Sequence, residues 1–176
     1  VLHGIHVDVT QQRALDQALR LQEQRLQLAT QIAGVGIWER DLATGTVIWE
    51  EQMYRLRGLQ GDDPRTPREI DEQIMLPQAL AERRQRIQRH LEDSEPYAYE
   101  FEVRWPDGSM RWLASTGSAA RDDSGRAVRM VGLNWDVTQR RRAEAALRDV
   151  EAAERASRAK SEFLAMVGHE IRTPMN

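Results

Sequence analysis

From Tyr97 to Trp105 the chain alternates without a break: Tyr97, Tyr99, Phe101, Val103 and Trp105 fall on one side, Ala98, Glu100, Glu102 and Arg104 on the other. A period of two predicts an antiparallel strand with one face buried and one wet. "PDGS" then reads as a turn, a second strand runs from Met110 to about Ala120, and "DDSG" leads into a third that ends at Thr138. Upstream, "VGIWERDL" and "TVIWE" flank "ATG" and predict a hairpin. Between these groups, "EEQMYRLRGL" has a short helical pattern stopped by Gly58, and "GDDPRTP" reads as a loop broken by Pro64 and Pro67. Leu80, Ile87 and Leu91 mark one face of a helix from about Pro77 to Glu92. The order is two strands, helices, then three strands. The last strand is apolar on both sides, with Val131, Leu133, Trp135 and Val137 on one and Val128 and Met130 on the other, so its outer face needs a helix or a second subunit as cover. All five tryptophans, Trp38, Trp49, Trp105, Trp112 and Trp135, lie in predicted strands and are read as core or interface packing.

Outside this mixed region the period changes. "GIHVDVTQQR" at Gly4–Arg13 recurs 128 residues later as "GLNWDVTQRR" at Gly132–Arg141, identical at six of ten positions. Each copy is followed by an Ala/Leu/Arg/Glu/Gln-rich stretch of good helix formers, so each reads as a strand running straight into a helix, with Thr10 and Thr138 as N-caps. The first helix carries Ala14, Ala18, Leu21, Arg25, Leu28 and Ile32 at alternating spacings of four and three, with Leu15, Leu19, Leu26 and Ala29 beside them. The second repeats the scheme with Ala146, Val150, Ala153, Ser157, Lys160, Leu164, Val167 and Ile171. Such spacing predicts a coiled-coil seam, loosened in the second helix by Ser157 and Lys160; the alternative is a single amphipathic helix lying on its own domain.

Composition narrows the chemistry. With 176 residues, one compact domain with helical extensions is expected. A formal net charge of -3 gives no field pointing to nucleic acid or an anionic membrane. The chain has no cysteine, which removes disulfides, thiolate metal sites, a cysteine nucleophile and any cofactor attached through cysteine. No apolar run approaches the roughly 20 residues of a membrane span, and no signal-peptide pattern opens the chain. A cytoplasmic fragment is expected, with room for a membrane anchor upstream in the full-length protein. His3 and His6 have no partner at metal-ligand spacing, so no metal site is expected.

The element order, together with "WPDGSMRWL" at Trp105–Leu113 and "GLNWDVTQRRRAEAAL" at Gly132–Leu147, resembles a PAS sensor domain with its C-terminal PAC motif, over about Val35 to Thr138. The resemblance implies an α+β fold: a five-stranded antiparallel sheet flanked by short helices that enclose a small cavity, here between two long coiled-coil helices. It departs at "LPQA", Leu76–Ala79, where relatives often read His-Pro-x-Asp. It fixes no ligand, because such domains hold haem, flavins, small metabolites or nothing. A flavin–cysteine adduct is ruled out by composition. Haem would need an axial ligand on the long helix; His90 is the candidate there, a hydrogen-bonded surface histidine being the plainer reading.

The last residues, "KSEFLAMVGHEIRTPMN", resemble the H-box of sensor histidine kinases, where a helix of the dimerisation and phosphotransfer domain carries the phosphorylated histidine. The resemblance implies His169 as phospho-acceptor, Glu170 as general base or orienter, Thr173 as the group that positions water for the reverse hydrolysis, and Pro174 as a kink. Gly168 stands where Ser is common. At 100° per residue, Leu164, Val167 and Ile171 span an arc of about 60° and His169 points about 170° from its centre, away from the seam. Attack on a γ-phosphoryl group needs a neutral imidazole, and a carboxylate accepting the other ring N–H fixes the tautomer and raises basicity. Pro174 cannot donate to the Glu170 carbonyl, so a bend is expected below the acceptor.

The expected organisation is therefore the last strand of a preceding PAS domain (1–10), a coiled-coil linker helix (11–33), a PAS domain with PAC motif (34–138), a signalling helix (139–160) and the start of a phosphoacceptor domain (161–176). Asp136, Thr138 and Pro174 are the expected relay. The chain reads as the sensor and transmission segment of a two-component histidine kinase, homodimeric through parallel helices, passing phosphate to a response regulator. ATP and Mg would serve a catalytic domain absent from this sequence, so the fragment alone is expected to be inactive. The alternative is a ligand-binding or dimerisation PAS module regulating a non-kinase output.

Overall fold

The computed structural model describes residues 9–61, 63–93 and 95–172, with 9–11 and 168–172 described by backbone alone. It divides into two compact units, one ending at Asp136 and one beginning at Val137. The first unit contains α1 (Val9–Ala33), β1 (Gly36–Asp41), β2 (Val47–Trp49), α2 (Glu51–Arg55), α3 (Pro67–Ile74), α4 (Pro77–Asp93), β3 (Tyr97–Arg104), β4 (Met110–Arg121) and β5 (Ala127–Asp136). The second is α5, Thr138–Arg172.

The strands form one antiparallel sheet in the order β2-β1-β5-β4-β3. The alternation along β3 holds residue by residue: Tyr97, Tyr99, Phe101 and Val103 are buried against the helices. Trp105 lies one residue beyond the strand, its indole N–H donating to the Leu56 carbonyl at 3.1 Å. Met53 of α2, Ile70 of α3 and Ile87 of α4 close the core over the same face. Register decides which side of β5 joins them. Met130 and Asn134 point inward and are buried, while Val131 and Leu133 form the outer face and stay exposed together with Ile48. The outer face read from the sequence is thus apolar and only partly covered, with Val131 and Leu133 37% and 38% exposed, whereas Val137, read on the same side, is buried.

Helix ends follow local chemistry. α1 ends in a Schellman turn: Gly34 takes φ 66, its N–H donates to the Gln31 carbonyl at 3.1 Å, and the Val35 N–H reaches Thr30 at 2.9 Å. α3 corrects the sequence reading of 61–67 as loop throughout. Pro67 opens a helix instead of breaking one, because its missing N–H is no loss in a first turn. Thr66 caps it, accepting from the Glu69 N–H, while the Glu69 carboxylate takes the Thr66 N–H at 2.7 Å. Thr138 is also displaced from its expected role: the Arg141 N–H donates to Val137, so Val137 holds the cap position and Thr138 is the first helical residue, almost fully buried. α1 is helical already from Val9, two residues ahead of the expected boundary, with Thr10 inside it; residues 1–8, which include His3, His6 and the start of the first repeat copy, lie outside the described residues.

α1 and α5 differ from the other helices in leaving their apolar residues in the open. Leu15, Leu21 and Leu28 of α1 are exposed, Ile32 by 86%, as are Leu147, Val150 and Leu164 of α5. α5 is continuous over 35 residues, a rod of about 50 Å. Among the described residues no helix is long and apolar enough to cross a membrane.

Candidate functional site

The inner sheet face and helices α2 to α4 flank a half-open cavity of about 70 Å³. A buried water needs about 10–15 Å³ on this measure, so the space suits a few waters or one small molecule. The alternation of β1 sends Trp38 and Arg40 into it, that of β3 sends Tyr97 and Tyr99, and β4 and β5 add Ser115 and Asn134. The helices contribute charge. Arg57, two residues beyond α2, is 1% exposed, and its Nε donates to Asp71 Oδ1 at 2.9 Å while another guanidinium nitrogen donates to the Met53 carbonyl at 3.1 Å. Its guanidinium also lies 3.9 Å over the Trp49 ring. The other oxygen of Asp71 binds Arg83 of α4. Buried charge survives only when paired, and Asp71 does this for two arginines at once, tying α3 to both neighbours. Burial works against the Arg83 charge, but Asp71 together with the Tyr99 and Tyr97 phenols holds the pKa above the ordinary value.

Two groups in this cavity are less well provided for, Arg40 and Asn134, and two phenols beside them are shifted by burial. Arg40 makes no hydrogen bond or ion pair through its side chain with any described residue. Burial lowers its pKa and the nearby Arg83 charge lowers it further. Asn134 is 3% exposed, and its Oδ1 has no hydrogen-bond partner. Burial pushes the Tyr97 phenol up; hydrogen bonds from Tyr99 and Ser115 offset that only in part. Tyr99 is raised too, by burial first and then by Tyr97. The wall behind them is apolar, with Tyr99 stacked on Phe101 at 5.1 Å and Trp38 meeting Tyr97 edge-on at 5.7 Å.

Trp38 also explains two glycines. Its indole lies across the row Trp38, Gly132, Gly117, Tyr97, where each residue faces the next on neighbouring strands. A Cβ on Gly132 would intrude on the indole and on the Thr116 carbonyl, and one on Gly117 would sit 3.0 Å from the ring. Glycine is required here for close approach, not for a turn.

The residues singled out in the sequence lie elsewhere. His169 and Glu170 are in the α5 backbone near its C-terminal end, their side chains beyond description, and Thr173 and Pro174 lie outside the described residues. Asp136 ends β5 opposite Leu113, and Thr138 opens α5. His90, on α4, does not line the cavity: its Nδ1 sits 2.5 Å from the Glu95 carbonyl oxygen, and its ring is 6.3 Å from that of Tyr97. Arg40, Asp71, Arg83 and Asn134 were not singled out. Strand parity would have found Asn134, which alternates with Met130 and Gly132. Among the described residues no three carboxylates or imidazoles gather as a metal site.

Residues 46–134, 89 of the 176, match the family model described as the PAS fold. The structure of a sensory box histidine kinase/response regulator from Burkholderia thailandensis is similar at a TM-score of 0.62 and 32% identity, covering 75% of this chain and 98% of that one. A blue-light-activated histidine kinase of Brucella anthropi is 27% identical over 139 residues, 79% of this chain and 26% of that protein. The probable diguanylate cyclase DgcE of Escherichia coli K12 is 25% identical over 138 residues, 75% of this chain and 12% of that protein. The chain thus spans about a quarter of the first of these curated relatives and about an eighth of the second. The observed sheet order, the cavity beneath it and a match across more than half of the sequence together make this chain a member of the PAS family.

Proposed function

We propose that the chain is the sensor and transmission segment of a two-component histidine kinase. The observation that carries this reading is the sequence "HEIRTP", whose first four residues, His169–Arg172, close a helix that runs unbroken from Thr138, two residues after β5 ends. In this reading the PAS unit receives a signal, α5 carries it from Thr138 toward His169, and Asp136, Thr138 and Pro174 are the relay. A catalytic domain elsewhere in the longer protein, using ATP and Mg, phosphorylates His169; Glu170 fixes the imidazole tautomer; and a response-regulator aspartate receives the phosphate. Thr173 positions water for the reverse reaction. Relatives named as histidine kinases support the context. The blue-light input of the Brucella protein's name is not carried over as a cysteinyl–flavin adduct, because this chain has no cysteine.

We place this segment in the cytoplasm as a homodimer; the exposed heptad residues of α1 and α5 support the dimer, joined through parallel helices. Ser157 and Lys160 interrupt the α5 seam and permit two packings of the paired helices, which is the switch we assign to this segment. Replacing both with Leu should lock the full-length kinase in one output state; unaltered regulation would count against the switch. A second reading, a PAS module feeding a non-kinase output, is favoured by the similarity to a diguanylate cyclase. Labelled ATP separates the two: the full-length protein should acquire acid-labile label that His169→Gln abolishes, and label persisting in the variant would sink the kinase reading.

A further inference from the structure

α1 carries more apolar surface than one seam uses. The seam positions Ala14, Ala18, Leu21, Arg25, Leu28 and Ile32 are followed one residue later by Leu15, Leu19, Gln22, Leu26, Ala29 and Ala33, which keep the same four-three spacing. Each series holds three large aliphatic residues, two alanines and one polar interruption, Arg25 in the first and Gln22 in the second, so neither outweighs the other. At 100° per residue the two stripes lie side by side and together span about 180° of the helix, whereas a two-stranded seam is narrow. Both are exposed along their whole length. The other charges of the helix, Arg13, Asp16, Arg20 and Glu23, fall together on the opposite side, within an arc of about 80°. A helix that covers the stripes must itself be apolar over a matching length, and the α1 of a second copy is. Its own domain leaves this surface free: a cleft between α1 and α2 is lined by Glu23, Leu26, Gln27 and Thr30, so the first stripe faces away from α2 and the second lies at its flank.

We propose that α1 has two docking stripes for the α1 of a second copy, and that a parallel pair of these helices packs in either register. Between the registers the partner moves about 100° round the helix, from the side remote from α2 to a place beside it. α2 is the helix that leads to Arg57 and the cavity, so the register decides whether the partner stands next to a wall of that cavity. No charge pair fixes one packing. In a parallel pair position g meets position e of the next heptad, and in the middle of α1 these meetings are Gln17 with Gln22 and Gln24 with Ala29 in the first register, Ala18 with Glu23 and Arg25 with Thr30 in the second. Both registers presuppose the homodimer proposed above; within it α1 becomes a second place, ahead of the sheet, where the arrangement of the dimer is set.

The test is oxidative cross-linking together with sedimentation of the 176-residue protein; the chain has no cysteine, so one introduced thiol reports one layer. Ala18→Cys, which samples the first stripe, and Ala29→Cys, which samples the second, should both join, and Gln27→Cys, on the charged side, should not. Arg25→Leu should raise the ratio of Ala18→Cys to Ala29→Cys cross-linking about tenfold, and Gln22→Leu should lower it by a similar factor, because each fills the polar layer of one register. In Leu21→Ala with Leu28→Ala the remaining dimer should be joined through Ala29→Cys alone. Cross-linking at only one of the two alanines, a ratio that neither leucine variant moves, or equal cross-linking of Gln27→Cys would each overturn the proposal. So would a sedimenting species larger than a dimer, in which further copies fill the second stripe while the first is occupied. A dimer joined at one stripe alone removes the second register and leaves the homodimer standing, whereas a monomer removes both.

Discussion

The sheet unit and the long helices use apolar residues in opposite ways. Beneath the sheet, Leu113, Met130, Ile70 and Met53 are almost completely enclosed, and even a guanidinium is buried with its partners supplied. Along α1 and α5 equally apolar side chains stand open at coiled-coil spacing. The first region finds its complement within the same chain; the second leaves apolar residues exposed, the surface proposed above for a second copy. Stability and assembly should therefore respond to different substitutions.

The strongest way to break this contrast is at Asp71. Asp71→Ala strands Arg57 in the core and should cost about 3–5 kcal/mol in urea unfolding, enough to unfold a marginal domain. Next, Gly132→Ala forces a Cβ against Trp38 and the neighbouring strand and should cost about 1–3 kcal/mol, whereas Gly45→Ala, in open space, pays only for its positive φ. Titration should come third. Burial raises the Tyr97 and Tyr99 phenols above the ordinary value of 10.0, so their neutral forms contribute stability fully present below that pH and lost as pH rises through the higher folded values. Melting temperature should fall more steeply above pH 10 in the native chain than in Tyr97→Phe, Tyr99→Phe. The smallest effect on the domain is expected from Leu21→Ala with Leu28→Ala in α1, under about 0.5 kcal/mol. The same pair should move the sedimenting species from dimer toward monomer; a large domain penalty with no change in assembly would reverse the comparison.

How much could be read in advance depends on the range of the signal. β3 was legible because its alternation is local and uninterrupted, and the two long helices because heptad spacing repeats over many turns. α3 was missed although Thr66, Pro67 and Glu69 spell out a capped start, because a proline in a polar stretch is as easily a breaker as a first residue. The cavity was implied in kind by family resemblance but not in chemistry. Arg40, Arg57, Asp71 and Arg83 come from a strand, a turn and two helices, and in the sequence a buried arginine looks like a solvated one. Only pairing in three dimensions shows that three of them are satisfied and one is not. His169 is the reverse case: a contiguous motif states its chemistry without any fold at all, and its side-chain surroundings lie beyond the described residues.

The close seat of Trp38 on Gly132 and Gly117 has a mechanical meaning. Side chains are the compliant part of a protein, since a rotamer can turn and absorb a displacement before the backbone feels it. Between this indole, which forms a wall of the cavity, and the β5 backbone there is no such cushion. A molecule that shifts the ring would push directly on the strand, two residues before Asn134 and six before the first residue of α5. The missing methyl groups make that joint stiff, and stiffness is what a lever needs at its fulcrum.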